Sequence, residues 1–131
     1  MLLSCLLAIQ LAVVGDGVPQ PLTQLPGNAQ QGRAIVLSRQ RGLCMLCHSG
    51  PFPEEPVQAT ISTNLSGAGS RWSEAQLRLR VADARWLNPD SLMPSFHRLP
   101  TANRVPSVLQ DKPLLSAQEV EDVVAFLSSL R

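Results

Sequence analysis

A chain of 131 residues fits one small domain, too short to bury a large core unaided. Lysine and arginine number 11 against 10 for aspartate and glutamate, a formal net charge of +1, which excludes the basic footprint of a nucleic-acid binder. Without internal repeats or low-complexity tracts, it is no solenoid.

Met1 to Val14 (MLLSCLLAIQLAVV) carries no charge and is too short to span a bilayer, matching the hydrophobic region of a secretory signal. No basic stretch precedes it, so the expected translation start lies upstream of Met1. Residues 1–17 are read as signal-peptide-like, with cleavage near Gly15 or Gly17; the alternative is a retained membrane anchor. Cys5 precedes most of the apolar run, which argues against a lipoprotein signal, and its thiol is expected to leave with the segment. Residues 18–28, with Pro19, Pro21 and Pro26, read as an extended arm ahead of a domain at 29–131.

Asn28 as cap, with Gln31 three residues on, predicts a first helix over Ala29–Gln40, stopped by Gly42. Gly32 within it costs about 1 kcal/mol relative to alanine, so close approach of another helix is expected there.

Cys44-Met45-Leu46-Cys47-His48 then has the C-x-x-C-H form that attaches c-type haem. Two thiols three positions apart can each form a thioether to one haem vinyl group, while the imidazole of His48 sits under the iron. A zinc site needs four ligands, and no second C-x-x-C or H-x-x-x-H is present. A thioredoxin-like site needs a βαβ pattern, which is absent. If Cys5 leaves, no thiol remains for a disulfide.

From Ser49 to Arg71 the prolines Pro51, Pro53 and Pro56 predict a loop, most flexible at Ser66 to Gly69. Ser73-Glu74-Ala75-Gln76 forms a capping box ahead of Leu77, Val81 and Ala84, which share a helical face, and Asn88-Pro89 ends that helix. Beyond it come Met93-Pro94 and His97, the two candidates for a sixth iron ligand. Met93 is favoured, since thioether ligation raises the potential and Pro94 stiffens the approach; Met45, between the attachment cysteines, cannot reach the other haem face.

The last helix has the clearest period. Ser116 and Glu119 cap it, and Val120, Val123, Val124, Leu127 and Leu130 form one apolar stripe. Phe126 beside that stripe is the expected partner of Gly32. The predicted fold is all-α and cytochrome c-like, about three helices around one covalently attached haem.

The segments Arg71-Trp72-Ser73-Glu74-Ala75-Gln76-Leu77-Arg78, Asn88-Pro89-Asp90-Ser91-Leu92-Met93-Pro94-Ser95-Phe96, Asn103-Arg104-Val105 and Lys112 to Val124 resemble, in this order, SoxX. That family is the small c-type cytochrome subunit of the bacterial Sox sulfur-oxidation system, and the resemblance runs from about Gly32 to Leu130. It implies one haem c attached at Cys44 and Cys47, with His48 and Met93 on the iron. It further implies a periplasmic heterodimer with a larger SoxA-like haem subunit, an L-cysteine S-thiosulfotransferase. Such a pair couples thiosulfate to a cysteine of the SoxY-SoxZ carrier and hands electrons to a soluble cytochrome c. In that scheme this chain transfers electrons and carries no catalytic residue. The family often has tyrosine near the position of Phe96 and His97, whereas this chain has none.

Filled axial positions suit electron transfer, because substrate cannot reach iron without displacing a ligand. Arg71 and Trp72 are candidates for haem-propionate contacts, Trp72 equally for core. The competing readings are a freely diffusing monohaem carrier and a cytochrome domain anchored by Met1 to Val14.

Overall fold

Three local caps set where the long helices begin. The Asn28 side chain accepts from the Gln31 N–H and opens α1 (Ala29–Leu37). Reciprocal capping boxes of Ser73 with Gln76 and of Ser116 with Glu119 precede the next long helix (Glu74–Ala82) and the last (Ala117–Ser129). A computed structural model of the chain describes residues 10–100 and 104–131. Between the long helices lie two single-turn segments, so the order is α1, α2 (Ala68–Arg71), α3 (Glu74–Ala82), α4 (Ala84–Leu87) and α5 (Ala117–Ser129). Short 3-10 turns occupy Cys44–Leu46 and Ser107–Leu109, and no strand occurs among the described residues. The fold is all-α, as expected.

Helix ends depart from the sequence reading. α1 stops at Leu37 instead of Gln40, because the Ser38 hydroxyl accepts from the amides of Gln40 and Arg41 and draws the chain out of the helix. The expected helix through Ala84 breaks at Asp83, whose extended φ of −152° separates α3 from α4. Ser66 to Gly69, read as loop, leads into α2, and the Gly69 N–H donates to Leu130 O at 2.8 Å. A side chain at Gly69 would strike the Ser128 carbonyl, so the close approach requires glycine.

The apolar stripe of α5 is the centre of the core. Val120, Val123, Val124 and Leu127 are buried against Val36 of α1 and Leu77 and Val81 of α3. Burying each such side chain stabilises the fold by about 1.5–3 kcal/mol before the entropy of ordering is subtracted. α1 crosses α5 at Gly32, where the nearest atoms are the backbone of Asp122 and Val123, and Phe126 packs on Phe52 with ring centroids 6.1 Å apart. Beneath the crossing, Arg78 and Glu121 form a buried ion pair, Nε to Oε2 at 2.8 Å, and Arg78 Nη1 also donates to Val18 O at 2.8 Å.

That last bond belongs to the proline-rich arm, which lies along α3 and α5. Val18 is buried and its N–H donates to Ala75 O at 2.9 Å; at the arm's far end, the Asn28 N–H donates to Asp122 Oδ1 at 2.8 Å. Most of the signal-like segment, with Cys5, lies outside the described residues, as does Asn103. Among the described residues no helix is long and apolar enough to cross a membrane.

Candidate functional site

α1 ends beside the cysteine motif, and a left-handed residue makes the entry. Leu43, at φ 59°, turns the chain so that Cys44 starts a 3-10 turn, held where the His48 N–H donates to Cys44 O at 2.9 Å. The turn sends Met45 into the core, while Cys44, Cys47 and His48 line a cleft of about 620 Å³. That volume lies within the range of roughly 300–1,000 Å³ usual for ligand pockets. Val36, Val81, Val123 and Leu127, from all three long helices, make its wall apolar. A further part of the lining comes from Leu92, Met93, Pro94 and Phe96, in the segment after α4.

His48 is oriented from outside the cleft. Its Nδ1 lies 2.7 Å from Thr63 O, so Nδ1 carries the proton and donates, and Nε2 keeps its lone pair as a metal ligand requires. Thr63 belongs to the segment read only as loop. Nothing in the sequence marked it, because the group used is a backbone carbonyl that any residue would supply.

Of the two candidate sixth ligands, Met93 lines the cleft and His97 does not. His97 is buried with Nδ1 2.9 Å from Leu115 O. Arg71 and Trp72 are likewise absent from the lining. Arg71 donates to Ser66 O and Asn64 O, and Trp72, partly exposed rather than core, stacks under Arg80 at 3.6 Å.

Burial pushes the Cys44 thiol up to about 11, opposed by a backbone hydrogen bond and reinforced by the neighbouring Cys47. At neutral pH it is a neutral thiol. Redox-active C-x-x-C pairs have the opposite property, a lowered thiol pKa. Two thiols, an imidazole with its second nitrogen free, a thioether and an apolar wall are a donor set that fits haem c.

No family model and no curated protein matches the chain. A solved structure does: a chain of the SoxXA crystal structure from P. pantotrophus is 37% identical, with a TM-score of 0.84. The match covers 92% of this chain and 93% of that one, so it is to a subunit of this chain's own size. The chain belongs to the SoxX family. As a SoxX protein it is a component of the Sox system. Cys44, Cys47, His48 and Met93 all line its cleft.

Proposed function

We propose that this SoxX protein is the haem c electron-transfer subunit of a periplasmic, heterodimeric thiosulfate-oxidising enzyme, partnered by a SoxA-like haem subunit. One observation carries the reading. His48, fixed through Nδ1 by Thr63 O, and Met93 line the same apolar cleft as the thiols of Cys44 and Cys47. When bound, the haem iron supplies reversible one-electron chemistry.

The chain's own residues then bind and tune. Cys44 and Cys47 would hold the haem covalently, and His48 and Met93 would ligate its iron. The apolar wall from Val36, Val81, Val123 and Leu127 would keep water from the group and so favour a higher potential. With both of those ligands bound, sulfur chemistry would belong to the partner, where thiosulfate would be coupled to a cysteine of the SoxY-SoxZ carrier and two electrons released. This chain accepts those electrons and passes them to a soluble cytochrome c. Export through the uncharged Met1 to Val14 segment suits that location.

The test is purification of the tagged chain from its host grown on thiosulfate. A larger haem protein co-eluting one to one is expected. A chain that elutes alone, red and monomeric, would replace the subunit reading with a freestanding electron carrier.

A further inference from the structure

The segment that presents Met93 is unevenly attached to the domain. Before Met93 the ties are short-range or long: the Met93 N–H donates to Ser91 Oγ at 3.2 Å, and Arg85 Nε reaches Ser91 O only at 3.4 Å. After Met93 a seam of contacts begins at once. The Ser95 hydroxyl donates to Asp83 Oδ1 at 2.5 Å, the Phe96 N–H to Val81 O at 3.3 Å and the His97 N–H to Ala82 O at 3.0 Å, while Arg98 Nη1 stands 3.6 Å from Asp83 Oδ2.

Asp83 is suited to be the fixed end of this seam. It sits at the break between α3 and α4 and is only 6% exposed. Its backbone is tied to both helices, the N–H donating to Leu79 O at 2.8 Å and the carbonyl accepting from the Trp86 N–H at 3.1 Å. Its two carboxylate oxygens meet Ser95 and Arg98, one residue close behind the thioether and one farther along. A hydroxyl-to-carboxylate bond is among the stronger hydrogen bonds. Pro94, whose ring fixes φ, is the only residue between Ser95 and Met93, so a restraint on Ser95 is passed on with little slack.

We infer that Asp83, through Ser95, is a positioning residue that holds the Met93 thioether in the cleft. The helix break at Asp83 thereby gains a purpose, because an unbroken helix from Glu74 to Leu87 would not present this carboxylate at its own terminus. The role rests on Met93 being the axial ligand. It adds a residue that does not line the cleft.

The experiment uses the full chain loaded with haem, in the ferric state, with imidazole as an added competitor for the Met93 position. Asp83→Ala and Ser95→Ala are each expected to bind imidazole at about tenfold lower concentration than the native protein, a difference of about 1.4 kcal/mol. They should also weaken the far-red sulfur-to-iron absorption band, and Ser95→Thr, which keeps the hydroxyl, should restore both. A purely structural role would lower the denaturation midpoint and leave imidazole affinity and the band unchanged, and that result overturns the proposal. Should Asp83→Ala fail to fold, Ser95→Ala decides alone. A native protein without the band would remove Met93 as ligand and overturn the proposal along with it, whereas a band that keeps its native strength in both variants overturns the anchoring role only.

Discussion

Gly32 of α1 lies directly on the backbone of Asp122 in α5, so close that a Cβ at position 32 would collide with the Asp122 carbonyl oxygen. The helices meet at this point because glycine lets them. Gly32→Ala gains about 1 kcal/mol of helix propensity but must part the two helices, an overpacking cost of about 1–3 kcal/mol or more where backbone is the obstacle. The expected net is destabilisation by roughly 1–2 kcal/mol, read as a lower denaturant midpoint of the haem-loaded protein. An unchanged midpoint would mean that the crossing is wider than this contact implies.

The ligand assignment separates two nearby residues. Met93→Ala should lose the far-red band while haem remains covalently attached, and its reduction potential should fall. His97→Ala should keep the band, since His97 is turned to Leu115 O and not to the cleft, yet lose roughly 1–3 kcal/mol of stability from the unpaired carbonyl. A band lost in His97→Ala and kept in Met93→Ala would reverse the assignment.

Attachment is tested in denaturant. Replacing Cys44 and Cys47 together with serine should give a protein that releases its haem on unfolding and acid extraction. Haem retained after that treatment would contradict attachment at these thiols.

The buried pair offers a stability test remote from the cleft. Arg78 and Glu121 are 3% and 5% exposed, so Glu121→Gln leaves the guanidinium uncompensated and should cost about 3–5 kcal/mol by chemical denaturation. Replacing both with apolar residues should recover part of that loss. A residue of roughly 1–3 kcal/mol should persist, because Val18 O then loses the Arg78 donor.

Acid should weaken the cap of α5. Partial burial pushes the Glu119 carboxyl up, but the Arg41 guanidinium and the backbone N–H and hydroxyl of Ser116 more than offset it and hold the group below the ordinary carboxylate range. A depressed folded pKa gives stability that is complete above the unfolded carboxylate value and disappears as pH falls through the folded one. Glu119→Gln is therefore expected to be less stable than the native chain at pH 7 and to match it more closely with acidification below about pH 4. Parallel stability curves across that range would show that the cap is not charge-dependent.

What the sequence determined by itself is what is local. Helix starts at Asn28, Ser73 and Ser116 were legible because a cap is made by side chains and amides three residues apart. The α5 stripe was legible as a period, and the C-x-x-C-H spacing as chemistry that needs only neighbouring residues. Helix ends were harder, since the stop at Ser38 and the break at Asp83 depend on which alternative hydrogen bonds the surrounding chain provides. The same holds for α2, which forms where Gly69 and Leu130, far apart in sequence, come together. Only the tertiary structure decided that Met93 and not His97 lines the cleft, that Thr63 supplies the carbonyl for His48, and that Gly32 meets the backbone of Asp122. Those outcomes turn on side-chain direction and on backbone groups common to every residue, and neither leaves a trace in residue order.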